Sequence, residues 1–296
     1  MTTSPSTQRI TPSVLEHLKT WEGRSESLTV TASEEQSIGL HALFDLEPTG
    51  GKGSPLLPLS HWMYLLPRVP QRLLGADGHP RTGSFMPPVP LPRRMWAGSR
   101  LEWQQELKVG QVLRRDATIQ SVSHRSGRTG ELIFVTLQHQ IFADGELALV
   151  EDQDIVYRDE AGAASAKGPE AAPSGTPETG TWNREITPDP VFLFRYSALT
   201  FNAHRVHYDR EYAAGVEGYP GLVVHGPLTA TLLADMARRE MPGRRLERFS
   251  FRAMRPAFDQ RPLTLCGTPL PGDSSVRLWA RDHEGFVVMQ AEAHYA

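Results

Sequence analysis

The sequence predicts an α+β protein built from two similar halves, each an antiparallel sheet packed on a helix, and three observations carry that reading. First, two stretches alternate apolar and polar residues with the period of a strand and reverse at a glycine. "LIFVTLQHQIF" passes through "ADGE" into "LALVEDQDIVYR", and "SVRLWARDHEGFVVMQAEAHY" turns at Gly285. Second, "DEAGAASAKGPEAAPSGTPETG", Asp159 to Gly180, is small, polar and rich in Pro and Gly. With almost nothing to bury, it reads as a flexible linker. Third, the segments on either side of it align with each other. "RLEWQQELKVGQVLRRDAT" sits against "RFSFRAMRPAFDQRPLTLCGT" (an aromatic strand, a polar break, another strand), and "VTLQHQIFADG" sits against "VRLWARDHEG". Any two antiparallel meanders share some of this rhythm, but the matched spacing favours duplication.

Along the chain, Thr11-Pro12 suits an N-cap and first helical position leading into "SVLEHLKTW". Ser33 with Gln36 makes a capping-box pattern ahead of Ile38, Ala42, Leu43 and Phe44. "LSHWMYLLP" reads as a short third helix stopped by Pro67. In the strand after it, Ile133, Val135, Leu137 and Ile141 share one face and Thr136, Gln138 and Gln140 the other, and Asp144-Gly145 supplies the hairpin turn. His139 lies on the apolar face and reads as a core histidine with its hydrogen bonds satisfied. Beyond the linker, "FLFRYSALT" reads as extended, "HYDREYAAG" as a short helix, and "LERFSFRAM" and "PLTLCGT" as strands.

The halves differ in one long helix. "HGPLTATLLADMARRE" carries Leu228, Leu232, Leu233 and Met236 at helical spacing, opened by Gly226-Pro227 and closed by Met241 to Gly243. A sheet wrapped around one buried helix is the hot-dog architecture, so the expected fold is a double hot-dog. The N-terminal half, to residue 158, shows no equally long apolar helix; a reduced or displaced one would leave room for a ligand. Residues 159–185 are expected to link it to a C-terminal half over 186–296.

Composition removes several function classes. A chain of 296 residues buries a full core without staples. A formal charge of −3 with no long basic run argues against nucleic acid and against an anionic membrane surface as partners. The single cysteine, Cys266, excludes a disulfide within the chain, fits a reducing cytosol, and reads as an inert core thiol. The N-terminus lacks a signal-peptide pattern, and no run approaches the ~18 apolar residues of a membrane span, so a cytoplasmic location is expected. "GGKG" at Gly50 to Gly53 lacks the P-loop spacing, and Trp62, Trp96 and Trp103 read as packing.

The chemistry concentrates in "YSALTFNAHRVHYDREYAAG" and "GLVVHGPLTATLL". Asn202, His204 and His207 leave one turn within six residues, and His225 precedes the long helix. Three readings compete. The histidines cap nearby backbone; or His204, His207 and His225 converge on a metal, which would need a fourth ligand at no familiar spacing; or an imidazole does acid–base work. In the last case the Gly226 N–H, at the positive end of the helix and next to a proline without N–H, faces a developing oxyanion.

The stretch "YSALTFNAHRVHYDREYA" resembles the hydratase motif of the MaoC-like (R)-specific enoyl-CoA hydratases, with Tyr196, Val206, His207 and Ala213 in register and Thr200 before the motif's glycine. "HGPLT" resembles the family's helix start. "GSFMPPVPLPRRMWAGSRLEW" and "LALVEDQDIVYR" look like the double hot-dog branch of mesaconyl-CoA and itaconyl-CoA hydratases, with mitochondrial-type 3-hydroxyacyl-thioester dehydratases close by. The resemblance implies water addition across the C2=C3 bond of an enoyl-CoA, with a branched dicarboxylyl group. His207 would be the acid/base, Asn202 an orienter and Gly226 the oxyanion donor; His204, Arg205, Arg195 and His225 would meet substrate. A non-catalytic acyl-thioester-binding protein is the rival reading. No metal or redox cofactor is implied, coenzyme A arrives as part of the substrate, and a homodimer is expected. Three positions depart from the motif: its aspartate falls on Asn202, its glycine on Phe201 and its asparagine on His204. In the family, aspartate and histidine hold one water between them, and asparagine cannot take that water's proton. His204 or a carboxylate elsewhere must help. The basic residues Arg93, Arg94 and Arg100 could meet coenzyme A phosphates, but a solvated face is the simpler reading.

Overall fold

The computed structural model describes residues 10–48, 51–127, 130–158, 178–272 and 274–296. Among these residues, ten strands form one antiparallel sheet. The first half contributes α1 (Pro12–Lys19), β1 (Ser25–Thr31), α2 (Glu34–Leu43), α3 (His61–Tyr64), β2 (Arg93–Trp103), β3 (Val112–Gly127), β4 (Gly130–Ala143) and β5 (Glu146–Arg158). The second contributes β6 (Trp182–Ile186), α4 (Pro190–Leu199), α5 (Arg210–Gly215), α6 (Gly226–Glu240), β7 (Leu246–Ala253), β8 (Leu263–Pro269), β9 (Ser275–Arg281) and β10 (Val287–Tyr295).

The local signals act as their chemistry dictates. Thr11 Oγ1 accepts from Val14 N at 3.3 Å and Pro12 opens α1. Ser33 Oγ accepts from Gln36 N at 3.4 Å to cap α2. Asp144 and Gly145 take φ of 51° and 97°, the left-handed pair that a two-residue hairpin between β4 and β5 requires.

The internal repeat is written in the topology. The strand order is β1-β3-β4-β5-β2-β7-β10-β9-β8-β6, so each half runs from its first strand at the edge to its second at the centre. The two sheets expected from sequence are thus one, fused where β2 pairs with β7, Ser99 opposite Phe251 and Leu101 opposite Phe249. Gly98 makes the junction fit: a Cβ there would lie 2.3 Å from Phe251 O, a backbone atom with no freedom to withdraw.

Among the described residues, only one concavity is filled by a long helix. α6 lies across β7 to β10, buried from Leu228 to Ala237. Its one buried charge, Asp235, is met by Arg238 and Arg239 at 2.8 and 2.7 Å. In the first half the helix is reduced to the four residues of α3.

Two expectations need correction. "FLFRYSALT" is helix α4, not an extended segment: Leu193, Tyr196, Ser197 and Thr200 are buried at helical spacing, and Asp189 caps Phe192 N at 2.7 Å ahead of Pro190. The β-rich composition of that stretch is overridden by a stripe that packs. The linker expected over 159–185 ends too late, because Trp182 to Ile186 pair with β8 as an edge strand; residues 159–177 lie outside the described residues.

Replacing Gly98 by alanine forces a methyl into Phe251 O. It is expected to cost about 1–3 kcal/mol, read as a lowered urea midpoint, whereas Gly145→Ala meets no atom within 4 Å and costs only its left-handed φ.

Candidate active site

Between the halves lies a cavity of about 1820 Å³, walled by both. Its second-half wall starts at α4, whose last turn ends at Thr200. Phe201 then takes φ of 47°, the left-handed region that suits a glycine, and the chain turns sharply. Asn202 N donates to Ser197 O at 2.9 Å, and Asn202 Oδ1 accepts from His204 N at 3.0 Å. One of the amide oxygen's two acceptor sites is therefore committed to shaping the turn, and Asn202 lines the cavity.

The turn delivers His204 and His207 to the cavity wall. His207 is held on two sides. Its Nδ1–H donates to Val223 O at 2.7 Å, and its ring stacks on His225 at 3.7 Å between centroids and 18° between planes. That bond fixes the tautomer, leaving Nε2 with a lone pair and no partner among the described residues. Burial lowers the imidazole to about 4, with His79 adding to the effect and the carbonyl of Val223 opposing it. Val223 is itself anchored, its N–H on Val206 O at 2.9 Å. Gly226 opens α6 on the same wall, its N–H without an intrahelical acceptor.

A segment of the first half completes this wall, and the sequence reading missed it. Residues 74–81 fold into a tight loop that docks on the histidine turn: Arg205 N donates to Asp77 O at 2.9 Å and Arg205 Nη1 to Ala76 O at 3.1 Å. Gly78, at φ 89°, lies against the turn so closely that a Cβ would sit 1.8 Å from Ala203 O. The loop brings His79 into the cavity. Its Nδ1–H donates to Asp77 Oδ2 at 2.9 Å, its backbone N–H donates to Asp77 Oδ1 at 3.0 Å, and its ring lies 3.9 Å from that of His204. His204 in turn meets His207 edge-on at 5.2 Å. Burial lowers His79, Asp77 opposes this and the charge of Arg94 reinforces it. His204, buried between His79, His207 and Arg94, is held far below its ordinary value. The signal available in sequence was "GADGHP", a turn in which Asp and His sit two apart.

The first-half wall sets polar groups among apolar ones such as Leu132, Phe134, Leu137 and Ile155. Arg115, His139, Glu151 and Gln153 project from β3, β4 and β5, with His61 from α3. Glu151, buried, is fully met: Oε2 accepts from Trp62 Nε1 at 2.9 Å and His61 Nε2 at 3.1 Å, Oε1 from Ser99 Oγ at 2.7 Å. Burial works against its ionisation, yet the hydrogen bond and charge of His61 keep it below the usual carboxylate range. His139 is not the fully satisfied core histidine expected: Nε2 bonds Gln153 at 3.0 Å, while Nδ1 has no partner. The corresponding face of the second half is apolar, with Leu265, Leu278, Ala280 and Ala291 under α6.

Three residues expected to meet substrate lie elsewhere. Arg195 is exposed on α4, pointing away from the buried stripe. Arg205 is tied to Asp209 at 2.8 Å and lies over the Tyr212 ring, so it clamps the loop from outside. His225 is buried behind His207, with Nε2 on Ser197 Oγ at 2.8 Å, and supports rather than lines the wall. Among the basic residues, Arg100 pairs with Asp154 and Arg93 with Glu217. Arg94 instead lines the cavity, with no carboxylate within 4.0 Å among the described residues.

The metal reading of His204, His207 and His225 fails on geometry: the last two are stacked face to face and each spends a nitrogen on a neighbour. Asp77, His79 and His204 do bring donor atoms within 4.8 Å of one another. But Asp77 and His79 bond each other, which commits one donor atom of each.

The sequence profile of the hydroxyacyl-thioester dehydratase type 2 family matches residues 59–259. A mesaconyl-C(4)-CoA hydratase of Chloroflexus aurantiacus is 46% identical over 274 residues, covering 92% of this chain and 95% of its own. Among solved structures, a MaoC-like dehydratase from Phytophthora capsici is similar with a TM-score of 0.68 and 16% identity, over 95% of this chain and 97% of its own. A Mycobacterium tuberculosis protein described as a double hotdog fold has a TM-score of 0.56 and 12% identity, over 93% and 96%. Both establish the fold.

The buried imidazoles make stability depend on pH. Between about 6.5, the unfolded value, and about 4 in the folded protein, the unfolded chain binds a proton at His207 that the folded chain lacks. Stability is therefore full above that window and falls as pH drops through it. From pH 6.5 to 5 one such group is expected to cost on the order of 2 kcal/mol, seen as a lower urea midpoint. His207→Phe keeps a ring on His225 and should remove this group's share of that dependence, leaving the share of His79, His204 and His225.

Proposed function

From the chain's membership of the hydroxyacyl-thioester dehydratase type 2 family, we propose that it adds water reversibly across the C2=C3 bond of an enoyl-CoA whose acyl group is a short dicarboxylyl, of the mesaconyl-C4 or itaconyl kind. One observation supports this above the others: a neutral imidazole of fixed tautomer and the first N–H of a buried helix face one cavity. Hydration and dehydration are one reaction run in two directions, so the family description and the relative's name agree on the chemistry.

Each group has a task in that reaction. His207 Nε2 accepts a hydrogen bond from the attacking water and aims its oxygen at C3. As that oxygen bonds C3, negative charge gathers on the thioester oxygen, where the Gly226 N–H and the positive helix end stabilise it. The water's proton, taken by a base on the cavity wall as the C–O bond forms, is returned to C2, and one water has been added. Asn202 holds the turn that carries the histidines. No step calls for a metal or a redox cofactor.

The cavity walls support the substrate class. The volume exceeds the roughly 300–1000 Å³ of small-ligand sites, as a substrate with a coenzyme A arm requires. An alkyl chain would use only the apolar part of that wall, Leu132, Phe134, Leu137 and Ile155, and would leave Arg115, His139 and Glu151 without a role. A free carboxylate close to the double bond finds Arg94 instead, so a fatty-acid-synthesis dehydratase is the weaker reading. A non-catalytic thioester binder is favoured by Asn202 alone.

Loss of enoyl-thioester absorbance decides among these. Mesaconyl-C4-CoA is expected to be hydrated with a kcat/KM at least tenfold above crotonyl-CoA and far above a long-chain enoyl-CoA; His207→Ala should lower kcat about 10²–10⁴-fold. Chelator treatment should leave the rate unchanged. A wild-type chain that binds these esters without consuming them would make it a binder.

A further inference from the structure

The family motif sets an aspartate beside the histidine, and this chain has Asn202 there, its oxygen already bound to His204 N. Resting on the hydratase reading, we infer that His79, held by Asp77 and delivered from the first half, is the second group on the attacking water and the one that takes its proton.

The geometry is that of a backed base. Asp77 uses both carboxylate oxygens on residue 79, one on the backbone N–H at 3.0 Å and one on Nδ1–H at 2.9 Å. This fixes ring and tautomer together, so Nε2 carries the lone pair, and His79 lines the cavity with His204 and His207. His207 is backed by a neutral carbonyl, which stabilises an imidazolium less than the carboxylate behind His79 does. Of the two imidazoles, His79 is therefore the better proton acceptor. Against its ring stand Asp77 on its own loop and His204 on the facing turn, and the charge of Arg94 on β2 and the neighbouring His207 bear on it electrostatically.

The step balances. His79 Nε2 takes a proton from the water as the oxygen bonds C3, and the C2=C3 electron pair moves onto the thioester carbonyl. The carbonyl re-forms as the His79 imidazolium returns the proton to C2, leaving His79 neutral. Asp77 is a positioning residue; it touches no reacting atom.

The construction of the loop supports a purpose beyond covering the site. Gly78 permits an approach to Ala203 O that any side chain would block, and Arg205 grips the loop through two backbone carbonyls. The docking fixes His79 against the histidine turn from the opposite half of the molecule.

The test is steady-state hydration of mesaconyl-C4-CoA by wild type, His79→Ala and Asp77→Asn, with melting curves for all three. His79→Ala should lower kcat at least 100-fold with KM changed less than fivefold, and added imidazole should restore part of the rate. Asp77→Asn removes the charge that raises His79, so the acid limb of kcat should move to lower pH while kcat falls. The proposal is overturned if His79→Ala keeps kcat within threefold of wild type. It is equally overturned if the lost rate resists imidazole and the Asp77→Asn profile keeps its acid limb, since His79 would then only support the loop. One bound divalent ion per chain, lost together with activity in His79→Ala, would make the residue a metal ligand and also overturn it. An inactive wild type sinks the hydratase reading, and this assignment with it; an active wild type with an unaffected variant sinks this assignment alone.

Discussion

The antiparallel pairing of β2 with β7 is the contact on which the rest of the molecule depends. It turns two sheets into one, so that both concavities open on a common space. Every chemically interesting wall of that space draws on both halves: Trp96, Arg94 and His79 from the first, His204, His207 and Gly226 from the second. The pairing is tight because Gly98 has no side chain at the point where its backbone meets Phe251 O. Loosen that register and the histidine turn loses the loop it is docked against.

Duplication supplies the frame, and its asymmetry supplies the site. In the second half α6 fills the concave face with leucine and alanine, as a stable core demands. In the first half the equivalent face is left to four residues of α3 and to side chains that a core would not choose. Glu151 is tolerated there because three donors meet it, a satisfied carboxylate costing far less than a bare one. Apolar side chains would pack that wall at least as stably, so the polarity there answers to whatever fills the cavity.

The histidines form an electrostatic unit as well as a geometric one. His79, His204, His207 and His225 are all held below their ordinary values, chiefly by burial and then by one another and Arg94. A cluster of neutral imidazoles offers lone pairs at neutral pH, which suits the handling of a water molecule better than a set of cations would. What separates the members is the group behind each ring: a carbonyl for His207, a hydroxyl for His225, a carboxylate for His79.

Much of this was legible in one dimension. Strand alternation, the Asp144-Gly145 turn, the Thr11 and Ser33 caps and the long apolar stripe of α6 are local signals, read within a dozen residues. His207 and Gly226 were legible as candidates too, because each lies in a short local pattern, the histidine turn and the start of the long helix. α4 was misread since its aromatic and β-branched residues favour strands, while the buried spacing of Leu193, Tyr196, Ser197 and Thr200 that overrides them is a matter of packing. Likewise, nothing local distinguishes Arg94, which faces the cavity, from Arg93 and Arg100, which are paired to carboxylates. Sequence alone determined most of the elements, the repeat and the chemical vocabulary, because these depend on neighbours along the chain. Only the tertiary structure decided that Asp77 and His79 meet His204 across more than a hundred residues, since that encounter depends on strand pairing and on a glycine that lets two backbones touch.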